Sequence, residues 1–170
     1  MRYADDLVIL ARRVGPELRA WIERTLEAQM GLAVNRENTQ VVWLGGEGGS
    51  VDVLGFIFRF AQGRRGGRPY VQVAPSRKAL AKERERLRAL TSSRGGFQPI
   101  PALIRTLHRH LAGWANDFGF GHPRVAFRAI NFAVQQRLRA HLGRRSQRPY
   151  CLPKRKSYYG HFADLGLVSL

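Results

Sequence analysis

Apolar residues in the first part of the chain fall into short blocks with different periods. Leu7 to Leu10 is a continuous aliphatic run of the kind a buried strand shows, and Gly15-Pro16 breaks the chain after it. From Glu17 to Met30 the apolar positions Leu18, Trp21, Ile22, Leu26 and Met30 recur at helical spacing. This predicts an amphipathic helix that stops at Gly31, a natural residue just past a helix end. Leu32 to Val34 and Gln40 to Leu44 read as short strands around the polar turn Asn35 to Asn38. Gly45 to Ser50 is a flexible loop without the lysine and following helix of a phosphate-cradling loop. Val51 to Phe60 is then strand-like, with Phe56, Phe58 and Phe60 on one face, and Gly63 to Gly67 turns the chain into Tyr70 to Val73 to complete a hairpin.

After Pro75 the period changes from two to 3.6, which sets the expected domain boundary. Residues 1–75 should form a small antiparallel sheet with one helix and residues 76–170 an all-helical bundle, an α+β chain overall. Ser76 can cap a helix running to about Leu90, with Leu80, Leu87 and Leu90 inward and Arg77, Lys78, Lys82, Arg84, Arg86 and Arg88 on its other faces. Ser92 to Pro101 is a loop. A second helix from Ala102 carries the seam Ile104, Leu107, Leu111, Trp114 and Phe118 and ends at Gly119 to Gly121. A third starts at Pro123, with Phe127, Ile130, Val134, Leu138 and Leu142 inward. Opposite them lie Arg124, Arg128, Asn131, Gln135 and Arg139, a stripe of donors suited to a sugar-phosphate backbone.

Charge changes the picture of the second part. Residues 1–60 hold seven Lys and Arg against eight Asp and Glu, a net of −1, whereas residues 61–170 hold twenty-two against four, a net of +18, so the chain's net charge of +17 comes from the second part. Most of it is arginine, which pairs with phosphate at two points and stacks on bases. Such an excess repels itself unless a polyanion neutralises it, and a nucleic acid fits better than a membrane because the helices leave no lipid-facing stripe. A basic tail with Arg144, Arg145, Arg148, Lys154, Arg155 and Lys156 surrounds Tyr150, Tyr158 and Tyr159, which can either stack on unpaired bases or pack the bundle. A hydrophobic share of 44% and an aromatic share of 10% fit a folded chain. The longest aliphatic run, Leu7 to Ala11, is too short to span a bilayer, and no signal sequence opens the chain, which is read as soluble and unexported. With Cys151 as the single cysteine, an internal disulfide and a multi-thiolate zinc site are excluded.

Several short motifs, in order, resemble one family. Arg2-Tyr3-Ala4-Asp5-Asp6 followed by Leu7-Val8-Ile9 resembles the catalytic hairpin of group II intron reverse transcriptases, the intron-encoded maturases. Gly31-Leu32 with its polar turn resembles the palm segment that follows, and Val53-Leu54-Gly55-Phe56 the short palm motif next to the thumb. Leu111-Ala112-Gly113-Trp114-Ala115-Asn116 with Phe118 resembles the signature of the thumb, or maturase domain X. The ending, from Tyr158-Tyr159 through His161-Phe162 to Leu165-Gly166-Leu167, is similar to the close of that domain.

The resemblance implies a palm remnant over residues 1–75 and a thumb over 76–170. It also implies that Asp5 binds catalytic magnesium with Asp6 beside it. In such enzymes two ions about 3.5–4 Å apart activate the primer hydroxyl and stabilise the leaving pyrophosphate. The family's other essential aspartate lies on an earlier strand, and nothing precedes Met1, so the fingers, first palm strands and nucleotide pocket are expected to be missing. Asn38 stands where the family usually has a lysine, and an asparagine cannot give a proton to the pyrophosphate. None of Glu17, Glu23, Glu27, Glu37, Glu47 and Asp52 interrupts a buried strand as Asp5 does.

The expected function is therefore that of a carboxyl-terminal part of a maturase, in a bacterial cytoplasm, binding intron RNA or a template-primer duplex and assisting splicing. Arg77, Lys78, Lys82, Arg84, Arg88, Arg124, Arg128, Asn131, Gln135, Arg139, Arg144 and Arg145 are the expected RNA contacts. The isolated chain is expected to be inactive as an RNA-directed DNA polymerase. Two alternatives stay open: an active polymerase when an amino-terminal reverse-transcriptase polypeptide is supplied in trans, and a degenerate relic.

Overall fold

The computed structural model describes residues 2–3, 6–37, 39–45, 49–63, 67–147, 150–153 and 155–170, with Arg2, Tyr3 and Asp6 described by their main chain alone. The architecture is α+β: a two-stranded pairing, a three-stranded antiparallel sheet and, among the described residues, five α-helices.

The amino-terminal part is only lightly organised. β1 (Arg2–Tyr3) pairs antiparallel with β2 (Asp6–Leu7), and the strand expected over Leu7 to Leu10 extends no further. Leu7, Ile9 and Leu10 are exposed, because a two-residue pairing with nothing stacked upon it offers no second layer to bury them. α1 (Pro16–Arg24) begins on Pro16, as proline's fixed φ favours, and widens into a π turn over Thr25–Gln29. Gly31 then takes a left-handed φ of 63°, which lets the Leu32 amide reach back to the Leu26 carbonyl at 2.9 Å and close the helix as expected. Leu32 to Val34 and Gln40 to Leu44 are not strands, since among the described residues no neighbouring strand pairs with them. The turn between them is built as its polar residues suggest: the Glu37 amide donates to Asn35 Oδ1 and Thr39 Oγ1 donates to the Asn35 carbonyl.

The strand expected over Val51 to Phe60 is in fact a hairpin. β3 (Ser50–Val53) and β4 (Phe56–Gly63) pair with Val53 opposite Phe56 and Val51 opposite Phe58, joined by Leu54 at φ 51° and Gly55 at φ 82°. Two positive φ values in a two-residue loop match the twist of paired strands. β5 (Gly67–Pro75) returns along β4, with Phe60 opposite Val71 and Phe56 opposite Pro75, as the hairpin reading expects.

Ser76 caps α2 (Arg77–Leu90), its Oγ accepting from the Ala79 amide at 3.2 Å. α3 (Ile100–Phe118), α4 (Arg124–Arg144) and the short α5 (Tyr158–Asp164) complete the bundle. Its core is the one the helical period selects: Leu87, Ile104, Leu107, Leu111, Trp114, Ile130, Val134, Leu138 and Leu142 are all buried, with Leu103, Ala126 and Phe162 added. Among the described residues, every buried side chain of this apolar core belongs to the helices.

The three-stranded sheet is bolted to one end of the bundle. The Ser76 amide donates to the Gly55 carbonyl at 2.7 Å, and the Phe56 ring lies 5.2 Å from Phe118, which in turn stacks near Trp114. The His122 amide donates to the Val73 carbonyl at 2.7 Å, while His122 Nδ1 accepts from the Val73 amide. Gly121, at φ 79°, must be glycine there, because a Cβ would come within 2.6 Å of the Val73 carbonyl oxygen.

Candidate nucleic-acid interface

α2 turns its basic side chains outward. Arg77, Arg84 and Arg88, at steps of seven and four, share one row, and Lys78 and Lys82 lie beside it; all five are exposed. Glu83 points the other way. It is 4% exposed and both its carboxylate oxygens lie at 2.9–3.0 Å from His110 Nε2 of α3. That acid is thus spent on a pair inside the bundle, while Glu85, the other acid of α2, is exposed and joins no ion pair among the described residues. Among the described residues, ion pairs join Arg36 to Glu23 and Glu27, His110 to Glu83 and Lys156 to Asp164. Among the described residues, none of the expected RNA contacts on α2 or α4 is in an ion pair.

The stripe on α4 divides into three parts. Arg124 and Arg128 are exposed and, among the described residues, engage no protein hydrogen-bond acceptor. Asn131 is half-buried and clasps the main chain of Leu170, its Nδ2 donating to the carbonyl at 3.0 Å and its Oδ1 accepting from the amide at 3.1 Å. Gln135 is half-buried, and the Arg139 guanidinium lies 4.5 Å above the ring of Tyr158.

Arg144 and Arg145 face inward along the surface, toward the turn after α2. Arg144 Nη2 donates to the Thr91 carbonyl at 3.3 Å and Arg145 Nε to the Gly96 carbonyl at 3.0 Å. Arg137, which the pattern of outer positions did not single out, donates from Nε to Thr91 Oγ1 at 3.0 Å. Cations gathered where α2 ends meet its negative dipole end and its orphan carbonyls together. Burial, with Arg144 and Arg88 nearby, pulls the Arg137 pKa below its ordinary value. His141 is buried at the same place, with Nδ1 3.4 Å from the Thr91 carbonyl and Nε2 without a partner among the described residues. Burial is the main force lowering its pKa, and Arg145, Arg144 and Arg137 add to it against the opposing hydrogen bond to Thr91.

Of the tail tyrosines, Tyr150 and Tyr158 pack against the core, Tyr150 bonding to His161 at 2.6 Å, while Tyr159 is exposed. Arg148 and Lys154 lie outside the described residues.

Asp5 and Asn38 lie outside the described residues as well, and Asp6 is placed only as the main-chain partner of Tyr3. Among the described residues no three His, Cys, Asp or Glu side chains come together as a metal site. No helix is long and apolar enough to cross a membrane.

Residues 80–161 match the family model described as group II intron, maturase-specific domain. No curated protein matches the chain. The matched span runs from Leu80 in α2 to His161 in α5 and so takes in nearly all of the basic bundle.

Proposed function

Through residues 80–161 this chain belongs to the family of the group II intron maturase-specific domain, and from that premise we propose that it binds folded intron RNA and assists its splicing, in a bacterial cytoplasm. The observation that carries the reading is the outward arginine row of α2 and α4, which among the described residues has no carboxylate partner, Glu83 being turned inward and the exposed Glu85 joining no ion pair. An A-form helix is gripped mainly through its backbone and shape, and free guanidinium groups on rigid helices are suited to that grip.

The test is the salt dependence of binding to a structured RNA. If about four phosphates are neutralised, affinity falls roughly a hundredfold between 50 and 200 mM salt. Arg124→Gln with Arg128→Gln should lower the slope of log K against log salt by about two without moving the thermal midpoint. Arg144→Ala with Arg145→Ala should instead cost about 1–2 kcal/mol of stability, since Arg144 holds the Thr91 carbonyl at the end of α2 and Arg145 the Gly96 carbonyl in the turn after it. Weak, salt-insensitive binding by the unaltered chain would remove the proposal.

A second reading is favoured by one observation: apolar residues from Leu7 to Trp43 stand in water, with Leu10 70%, Trp21 60% and Trp43 68% exposed. In that reading another polypeptide covers them, brings further palm strands beside Asp5 and Asp6, and completes an RNA-directed DNA polymerase. Magnesium belongs to that reading, in which Asp5 and Asp6, whose side chains lie outside the described residues, would hold it with a carboxylate from the added strands.

A further inference from the structure

The outer face of α4 carries more than arginine. Val125 is 77% and Phe132 64% exposed, although the helix already buries Ala126, Ile130, Val134, Leu138 and Leu142 on its inner side. Steps of three, four, three and four lead from Val125 through Arg128, Phe132 and Gln135 to Arg139, which puts all five in one row. A lone apolar side chain on a surface is ordinary. A phenyl ring set between two arginines, on a helix without a carboxylate, is a more particular arrangement.

Charge decides what can cover it. No acidic residue occurs from Phe118 to Ala163, so neither α4 nor the segment leading into α5 supplies a counter-charge. Arg128 has no hydrogen-bond or ion-pair partner among the described residues, and Arg139 is steadied from one side by the ring of Tyr158. A protein helix docking on Val125 and Phe132 would have to bring carboxylates for both arginines. A nucleic acid brings phosphates and a flat apolar surface in the same molecule. In a continuous A-form duplex the bases are stacked on one another and closed to a side chain, whereas at a bulge or loop they are open to an aromatic ring.

We infer that the outer row of α4 is a site for an unpaired RNA base, with Phe132 stacked on the base and Arg128 and Arg139 on phosphates to either side. The two arginines lie about 16 Å apart along the helix axis, with the ring between them. This rests on the RNA-binding reading above and adds which feature of the RNA is taken.

Two hairpin RNAs of equal nucleotide number separate the possibilities. One is fully paired, and the other has a bulged adenine replaced by the fluorescent analogue 2-aminopurine. The full chain should bind the bulged RNA about tenfold more tightly, the effect of one stacked base, and quench the analogue. Phe132→Leu, at an exposed position that leaves the core untouched, should bind both RNAs alike, leave the fluorescence unchanged and keep the salt slope of the paired hairpin. Phe132→Trp should retain preference and quenching. Equal affinity of the unaltered chain for both RNAs, with steep salt dependence, would overturn the base site and spare RNA binding. Weak, salt-insensitive binding of both would overturn the two together. If Phe132→Leu keeps the preference and the quenching, the ring is not the platform. If it alters only self-association in sedimentation, the face docks protein and the inference fails.

Discussion

Arg137, His141 and Arg144 converge on Thr91, and the imidazole among them is held uncharged by its surroundings. The folded pKa of His141 lies below that of a free imidazole, about 6.5, so the unfolded chain binds the extra proton more readily. Its contribution to stability is therefore complete above about pH 6.5 and is lost as pH falls through the folded value. The chain holds four histidines besides this one, so the measurement is the difference in urea midpoint between the unaltered chain and His141→Leu. That difference should shrink or reverse between pH 7 and pH 5, and a difference independent of pH would show that the buried imidazole is not what acid acts on. Much of this neighbourhood was legible only in part. Helical phase puts His141 on the inner side of α4, between Leu138 and Leu142, just as it puts Glu83 between Leu80 and Leu87 on the apolar side of α2. Both signals are present in the spacing. What the spacing does not contain is the partner, since His110 and Thr91 come from other elements.

Among the elements, those whose pattern is local and repeated were readable and those that need a distant partner were not. α2, α3 and α4 follow from fifteen or so residues of steady 3.6 period, and Ser76 and Pro123 mark their starts as expected. The hairpin at Leu54-Gly55 was obscured because Ile57 continues the odd-numbered set of Val51 and Val53, although the step of three from Val53 to Phe56 moves the aromatic row to even positions, as a two-residue turn between facing residues requires. Leu32 to Val34 and Gln40 to Leu44 have the composition of strands, but a strand exists only when another pairs with it. The hairpin itself is open to a simple check. Gly55 combines φ 82° with a place where a Cβ would sit 3.1 Å from the Phe118 ring. Gly55→Ala should cost about 1–2 kcal/mol, from the left-handed backbone, and lower the thermal midpoint by several degrees. A midpoint that does not move would mean that the turn relaxes and that the sheet contributes little to holding the bundle's end.

At the scale of the whole molecule the two parts differ in how much of their apolar surface is covered. The helices bury a continuous core, while α1 keeps Trp21 in water and the segment after it keeps Val41, Val42 and Trp43 there. Exposure on this scale, in a contiguous stretch of sequence next to the Tyr3-to-Asp6 pairing, is more than scattered apolar residues explain and is the surface that the second reading has another polypeptide cover. If a polypeptide carrying the remaining palm strands covers it, two independent signals should appear on mixing. Trp21 and Trp43 are exposed and Trp114 is buried, so a blue shift in tryptophan fluorescence would report cover over the amino-terminal part without interference from the bundle. In the same mixture, with magnesium added, a primer on an RNA template should be extended, and Asp5→Ala should abolish extension while leaving the fluorescence shift in place. A shift without extension would assign the surface to assembly and leave the carboxylates as inherited turn residues. Neither signal would remove the polymerase reading altogether, and the work of this chain would then rest with the arginine rows of the bundle.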